Sequence, residues 1–168
     1  MDFLGLRTLT VIQNAVLLAR RKQPELNINQ IDYNDQKVLD YIGTGKTDGV
    51  FQLESAGMKG FMKELKPHNL EDVIAGISLY RPGPMDFIPQ YIRGKNDSSS
   101  ITYDCPQLEP ILAPTYGCIV YQEQVMQIVR DLAGYSLGRS DLLRRAMSKK
   151  KAAVMEKERK IFIYGDEE

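Results

Sequence analysis

Residues 115–151 read TYGCIVYQEQVMQIVRDLAGYSLGRSDLLRRAMSKKK. After an opening turn, apolar residues follow helical spacing over 119–133, and they are Tyr121, Val125, Ile128, Val129 and Leu132. Gly134 and Gly138 interrupt this pattern, and either Ser136 or Ser140 is placed to cap a second helix over 141–149. The stretch therefore predicts two consecutive helices, the second of which ends in a cluster of cations.

Charge is concentrated at this end of the chain. Residues 139–160 hold nine Lys and Arg against three acidic residues, a net charge of +6, whereas the whole chain has 22 basic and 22 acidic residues. A cationic patch on a neutral chain indicates a site for an anionic partner, and phosphate is the expected group. The alternative is a solvated helix end, whose cations are favoured by the helix dipole.

Composition excludes several classes of protein. With 168 residues, 43% hydrophobic and 26% charged, the chain has the composition of an ordinary soluble protein. No apolar run reaches the roughly 18 residues of a membrane helix, and no signal peptide is visible. Cys105, Cys118 and the single His68 lack the spacing of a zinc site or a disulfide scaffold, so we expect a cytoplasmic protein. Both ends look cut, which suggests a segment of a longer chain.

The remaining sequence predicts helices and few strands. Helical patterns cover 6–21, a short segment after Asp35, 55–66, 69–80, 86–93, 109–112 and 152–163. Ser55 and Asn69 are the expected N-caps of two of these helices. The expected buried face of the helix that follows Ser55 consists of Met58, Phe61, Met62 and Leu65. A mainly helical fold is therefore expected.

A phosphate-binding loop of the Walker type is not expected at Gly43-Thr-Gly-Lys-Thr47. That motif needs a glycine five residues before Gly45, where this chain has Asp40. The preceding segment is also predicted to be helical, whereas the motif follows a strand. The segment is interpreted as a plain turn.

Three groups of residues remain candidates for anion binding. Arg144 and Arg145 are helix neighbours about 100° apart, and their planar donor groups suit phosphate oxygens. Arg81 begins the rigid turn Arg-Pro-Gly-Pro, which either presents a cation or merely stops a helix. The polar run from Tyr121 to Gln124 either contacts a nucleotide or DNA, or forms an ordinary solvated face.

Several blocks of this sequence together resemble the bacterial family C DNA polymerases, in the branch of the DNA polymerase III alpha subunit. The blocks are Asp2-Phe-Leu-Gly-Leu-Arg-Thr-Leu-Thr10, Thr47-Asp-Gly-Val-Phe-Gln-Leu-Glu-Ser55, Leu79-Tyr-Arg-Pro-Gly-Pro-Met85, Thr115-Tyr-Gly117, Tyr121-Gln-Glu-Gln-Val-Met126, and Leu142-Leu-Arg-Arg-Ala-Met147 with Lys149 and Lys150. They occur in the order of the family and cover nearly the whole chain. The chain departs from the family pattern at Ser148, where Gly is frequent, and at Arg139 and Ser140, where small residues are common.

The resemblance implies a fold and a domain division. It implies a mainly α, irregular helical fingers domain with few short strands, preceded by a terminal helix of the palm. Residues 1–22 are expected to be the end of the palm region, and residues 23–168 a fingers domain that is incomplete at its C-terminus. The parent implied by the resemblance is a replicative DNA-directed DNA polymerase.

The resemblance also implies roles for individual residues. Asp2 matches the third of three palm aspartates that hold two Mg²⁺ ions, and it is the expected catalytic and metal-binding residue. The paired arginines are expected to bind the triphosphate of the incoming deoxynucleotide, and the full expected nucleotide-binding set is Arg144, Arg145, Arg81, Tyr121 and Gln124. Lys149, Lys150 and Lys151 are expected to contact nucleic-acid phosphates, with salt-dependent affinity.

Partners and activity follow from the same resemblance. We expect primer-template DNA and deoxynucleoside triphosphates as partners, replisome subunits such as the sliding clamp and clamp loader through regions outside this chain, and no membrane. The parent is expected to use Mg²⁺, whereas the segment alone is expected to bind none and to be inactive, because two metal carboxylates belong to an earlier motif. The alternatives are a non-catalytic helical nucleic-acid-binding module and a structural interaction domain.

Overall fold

The computed structural model describes residues 5–166, and within that range the chain is mainly helical. The α-helices are α1 (Arg7–Ala19), α2 (Gln36–Gly43), α3 (Ala56–Leu65), α4 (Leu70–Leu79), α5 (Ile88–Asn96), α6 (Glu109–Leu112), α7 (Gln122–Ala133), α8 (Leu137–Ser148) and α9 (Ala152–Tyr164). The predicted fold class is confirmed, although the few short strands that we expected do not occur anywhere in 5–166. None of the helices described is long and apolar enough to cross a membrane.

The chain divides into two compact units, Met1–Asp35 and Gln36–Glu168. The first unit contains α1 and a short 3₁₀ turn at Ile28–Gln30. Asn27 caps that turn through its side chain, which accepts a hydrogen bond from the backbone N–H of Asn29 at 3.1 Å. The helix predicted over 6–21 is present in α1, although no residue of that helix is buried.

The second unit contains the main core, which we call the first core. Its buried members are Leu53, Met58, Phe61, Met62, Leu65, Ala75, Leu79, Tyr91 and Cys118. The two predicted N-caps begin the helices that contribute to this core. Ser55 Oγ accepts from the N–H of Met58 at 3.3 Å, and Asn69 Oδ1 accepts from the N–H of Asp72 at 2.8 Å. All four residues predicted to form the apolar face of α3 are buried, so that prediction is confirmed.

A buried ion pair lies beside the first core. Asp72 and Lys95 are 2% and 4% exposed, and Asp72 Oδ2 is 3.4 Å from Lys95 Nζ. Asp72 Oδ2 also accepts from the backbone N–H of His68 at 2.8 Å, and Lys95 Nζ donates to the carbonyl of Lys66 at 2.9 Å. The extra hydrogen bonds matter because a buried charge is tolerated only when it is paired and fully hydrogen-bonded.

The segment that resembled a phosphate-binding loop is a structural turn, as interpreted from the sequence. It follows helix α2, and Gly45 takes the left-handed backbone conformation with φ of 68°. Thr47 is fully buried, and its hydroxyl donates to the carbonyl of Leu53 at 2.6 Å. Its hydroxyl is therefore committed to the fold rather than presented to a ligand.

Helices α7, α8 and α9 pack together around a second, smaller cluster, and we call these three helices the cationic region. The buried members of the cluster are Val129, Tyr135 and Leu143. Ser136, one of the two candidate caps, accepts from the N–H of Arg139 at 3.2 Å, so α8 begins four residues earlier than predicted. Ser140 is inside the helix and donates to the carbonyl of Ser136 at 3.0 Å. Tyr121 precedes α7 as its N-cap residue instead of lying within it.

Candidate functional site

The two arginines of α8 share one carboxylate. Asp141 Oδ1 accepts from Arg144 Nε at 2.9 Å and from Arg144 Nη2 at 2.7 Å. Asp141 Oδ2 lies 2.7 Å from Arg145 Nε. The hydrogen bond from Arg144, followed by the charge of Arg145, holds the pKa of Asp141 below its ordinary value, so the carboxylate is ionised at neutral pH. The negative charge of Asp141 thus holds the two positively charged side chains close together.

The first residue of α7 connects this pair to a cleft. Gln122 Oε1 accepts a hydrogen bond from Arg144 Nη1 at 3.0 Å. Gln122 also lines a cleft of about 430 Å³, whose other walls are Ser78, Arg81, Pro82, Pro84, Val120, Tyr121 and Glu123. Arg81 and Tyr121, both predicted from the sequence, therefore lie on the cleft, and Arg144 is one hydrogen bond away from it. Arg145 is 62% exposed and is not among the residues that line the cleft.

The hydroxyl of Tyr121 stays protonated at neutral pH. Burial raises the pKa of Tyr121, and the nearby charges of Glu71 and Asp72 raise it further. A neutral phenol can donate a hydrogen bond to an anion or to a sugar oxygen. In the Arg-Pro-Gly-Pro turn, Gly83 takes a φ of 105°, a value that favours glycine, and Arg81, Pro82 and Pro84 of this turn line the cleft.

Gln124 is a buried structural residue in this fold. Its Oε1 accepts from the backbone N–H groups of Val120 and Tyr121 at 2.8 and 2.9 Å. Its Nε2 donates to the carbonyl of Ile111 at 3.2 Å and to Thr115 Oγ1 at 2.7 Å. All of its usual hydrogen-bonding capacity is used within the protein. Gln124 therefore fixes the position of Tyr121, and this geometry gives it a different part from the nucleotide contact that we expected.

An apolar groove of about 430 Å³ adjoins the cleft. It shares Pro84, Val120, Tyr121 and Gln122 with the cleft, and its remaining lining residues are Phe87, Ile119, Val125, Ile128, Val129 and Met147. Phe87, Ile119 and Met147 are 47%, 45% and 44% exposed, so the groove presents apolar surface to solvent. The two depressions together offer a polar half bordered by arginines and an apolar half.

The lysine run after α8 is exposed and unpaired. Lys149, Lys150 and Lys151 are all exposed, and within 5–166 none of them forms an ion pair. Lys150 has a φ of 50°, which ends the helix in a left-handed turn. By contrast, Arg139 pairs with Glu158 and Asp166 at 3.2 and 2.6 Å and lies 4.5 Å from the ring centroid of Tyr135. Arg139 therefore joins α8 to α9, while the lysines remain available to a partner.

Comparison with known proteins decides the family. The model of the bacterial DNA polymerase III alpha subunit finger domain matches residues 8–168. The chain belongs to this family. It is 52% identical over 166 residues to the DNA polymerase III subunit alpha of Halalkalibacterium halodurans and 51% identical over 166 residues to that of Staphylococcus aureus. These matches cover 98% of this chain but only 15% and 16% of the two relatives, so the chain spans a small part of their length.

Asp2, the metal ligand expected at the end of the palm region, lies outside the described residues. Between residues 5 and 166, no group of three or more His, Cys, Asp or Glu side chains is arranged to hold a metal ion. The described residues therefore do not fit a magnesium site, and we derive no chemical step through a metal from them.

Asp141 was not predicted as part of the site, and Gln122 was named only within the polar run from Tyr121 to Gln124, without its contact to Arg144. Asp141 stands three and four residues before the two arginines, a helical spacing at which side chains meet, so the sequence contained the signal for it. Gln122 contacts Arg144 across 22 residues, and no local pattern predicts that contact. The contacts of Asp141 could have been predicted from helical spacing, whereas the contact of Gln122 depends on the tertiary fold.

Proposed function

We propose that this segment binds the triphosphate of an incoming deoxynucleotide in a bacterial replicative DNA polymerase. Arg144 and Arg145 supply the phosphate contacts, while Arg81 and Tyr121 form the wall of the adjoining cleft. The observation that carries this proposal is the arginine pair, held by one carboxylate and connected to the cleft through Gln122. Fixed guanidinium groups suit the task, because phosphoryl transfer is catalysed mainly by positioning and charge stabilisation.

The neighbouring depressions suit the two ends of a nucleotide. A triphosphate is anionic and requires donors, whereas a nucleobase is flat and mostly apolar on its faces. The cleft carries Arg81 and borders Arg144, and the groove beside it is lined by Phe87, Ile119 and other apolar residues. We therefore assign the phosphates to the arginine side and the base or its partner in the duplex to the groove.

The lysine run is proposed to contact the DNA backbone. Lys149, Lys150 and Lys151 directly follow the arginine helix and are exposed. Exposed lysines without acidic partners bind phosphates through charge, which makes affinity salt-dependent and independent of base sequence. Triphosphate and DNA would then lie along consecutive turns of one helix and its C-terminal turn.

Domain roles and chemistry of the whole subunit are part of the same proposal. We assign 1–22 to the end of the palm and 23–168 to the fingers, in a subunit that carries out DNA-templated nucleotidyl transfer with Mg²⁺. Asp2 is proposed as one metal carboxylate of that subunit. Clamp and clamp-loader contacts are proposed for regions outside this chain.

The nucleotide assignment is tested by Arg145→Ala in the alpha subunit that carries this chain. We expect the dissociation constant of a deoxynucleoside triphosphate to rise about tenfold or more, the effect of removing one charge-assisted contact. Arg159→Ala is the matched control, since Arg159 is another exposed arginine of the cationic region, 68% exposed, whose acidic partner is Glu156. Equal dissociation constants for wild type and Arg145→Ala would refute the assignment.

The DNA assignment is tested by the triple change of Lys149, Lys150 and Lys151 to Ala. The plot of log affinity for primer-template DNA against log salt concentration should lose about 2 to 3 units of slope. A triple Ala change of the exposed Lys22, Lys46 and Lys63 provides a control of equal charge. If both triple variants change the slope equally, the lysine run has no particular role. Retained DNA binding with no triphosphate binding in wild type would favour the non-catalytic nucleic-acid module instead.

A further inference from the structure

Asp141 places a negative charge between two arginines that are proposed to bind phosphate. It is the one acidic side chain in contact with both Arg144 and Arg145 among the described residues. A carboxylate beside an anion-binding pair lowers the local positive charge and would, by charge alone, weaken the attraction for phosphate. Its presence at the centre of the pair calls for a benefit that outweighs this loss.

The benefit follows from helix geometry. Consecutive helical residues point about 100° apart, so two neighbouring arginines diverge, and like charge drives them further apart. Asp141 stands one turn before both, at three and four residues, where side chains meet on the helix surface. One oxygen binds the Nε and Nη2 atoms of Arg144 at 2.9 and 2.7 Å, and the other lies 2.7 Å from Arg145 Nε. The carboxylate therefore draws two divergent side chains to one point.

The contacts leave donors for a ligand. Asp141 binds Arg145 through Nε, and within 5–166 the terminal Nη groups of Arg145 make no hydrogen bond. Arg144 is more restricted, because Gln122 takes one Nη1 hydrogen at 3.0 Å in addition to the bonds to Asp141. A guanidinium carries five N–H donors, so Arg144 retains two and Arg145 retains four. The pair is oriented without being saturated.

We infer that Asp141 is a positioning residue, which holds Arg144 and Arg145 as one preorganised receptor for a triphosphate. The inference rests on the proposed function, since it assigns a partner to the same arginines. Rotamer freedom lost before binding is not lost again during binding, and long arginine side chains have much of it to lose. Asp141 touches neither substrate nor reacting atoms in this role and acts through the arginines.

A pure charge effect and the positioning role predict opposite changes in nucleotide affinity for the variant Asp141→Asn. Removing one negative charge should tighten the binding of a polyanion if charge alone matters. Loss of the two ion pairs frees both arginines, and the positioning role predicts weaker nucleotide binding. We expect the KM for deoxynucleotide in primer extension by the alpha subunit to rise about fivefold to tenfold, with unchanged affinity for primer-template DNA.

Glu156→Gln is the control variant. Glu156 lies in the same +6 segment and pairs with Arg159, at 3.8 Å and three residues apart, so its loss changes the charge equally without touching the pair. Asp141→Glu restores a carboxylate on a longer stem and should recover part of the KM. Equal effects of Asp141→Asn and Glu156→Gln, or a lower KM in Asp141→Asn, would overturn the inference.

A double-mutant cycle separates this inference from the proposed function. In the Arg145→Ala background, Asp141→Asn should lose most of its effect on KM, because the receptor is already dismantled. If Arg145→Ala raises KM and Asp141→Asn acts undiminished in that background, Asp141 works by another route and the inference fails alone. If Arg145→Ala leaves KM unchanged, the proposed function fails, and the inference fails with it. Circular dichroism melting of each variant checks that the helices remain folded.

Discussion

The first core and the cationic region treat charge in opposite ways. Beside the first core, the side chains of Asp72 and Lys95 are almost completely buried, and backbone groups of His68 and Lys66 give them further hydrogen bonds. In the cationic region, Arg145 is 62% exposed and its carboxylate partner is shared with a second arginine. The first arrangement fixes the fold, whereas the second keeps charged donors near water, where an anion can reach them.

The two regions also differ in how much apolar surface they bury. The first core has nine buried members, contributed by α3, α4, α5 and the segments near them. The cluster of α7, α8 and α9 has three, and ion pairs of Arg139 with Glu158 and Asp166 supplement it. Burial of apolar side chains is the main favourable contribution to folding, so the first core is the more stable support. Gln124 of α7 connects this helix to Ile111 of α6 and fixes Val120 and Tyr121, which pack against the first core.

The largest effect is expected from breaking the buried ion pair. Lys95→Met leaves Asp72 without its cation, and removing one partner of a buried pair costs roughly 3 to 5 kcal/mol. The free energy of unfolding, measured by urea denaturation, should fall by about that amount. Lys59→Met is the control, because Lys59 pairs with Asp48, which is 85% exposed. Equal losses in the two variants would show that burial does not distinguish these pairs.

Truncating one leucine in each region compares their packing directly. Leu65 is 1% exposed in the first core and Leu143 is 7% exposed in the second cluster. Leu65→Ala should reduce the free energy of unfolding by roughly 2 to 5 kcal/mol, and Leu143→Ala by about 2 kcal/mol, because its sparser surroundings can relax into the space. Thermal and urea unfolding followed by circular dichroism will give both values. A larger loss for Leu143→Ala would reverse the ranking of the two regions.

Sequence patterns predicted what is local in this fold. Helix positions, the Ser55 and Asn69 caps and the buried face of α3 follow from residues within a few positions of each other. For the same reason, the pairing of Asp141 with the arginines was readable from the sequence. The start of α8 was placed too late because two serines, Ser136 and Ser140, both fit the role of cap, and only the folded helix selects between them.

Contacts between distant segments could not be predicted from sequence patterns. Gln124 was expected to face a ligand because it stands in a polar run, yet it is buried against α6 and the following turn. Asp72 stands in the first turn of α4, where an acidic side chain is favoured, but its buried partner Lys95 lies 23 positions later in the sequence. Polar residues are ambiguous in a sequence, because the same amide or carboxylate serves solvent, ligand or core according to what folding places beside it.

Gln124→Leu tests the attachment between the two regions. The change removes an amide that makes four hydrogen bonds and leaves the N–H groups of Val120 and Tyr121 without their acceptor. We expect a loss of about 2 to 3 kcal/mol in the free energy of unfolding, typical of unsatisfied buried groups. Gln127→Leu, on the exposed face of the same helix, should change it by less than about 0.5 kcal/mol. Equal losses would mean that the Gln124 network is not needed for attachment.

The smallest expected effect comes from an exposed glycine of α3. Gly60 lies inside α3, and a Cβ added there meets no atom within 4 Å. Gly60→Ala should therefore raise the free energy of unfolding by about 0.5 to 1 kcal/mol, the difference in helix propensity between the two residues.

Gly94 in α5 is the contrasting case, because its Cβ would lie 2.8 Å from Tyr116 Cβ and 3.0 Å from the Tyr116 carbonyl oxygen. Gly94→Ala should lower stability, since this approach involves backbone that cannot yield easily. Opposite signs in urea denaturation would support close packing at Gly94, and stabilisation by both changes would contradict it.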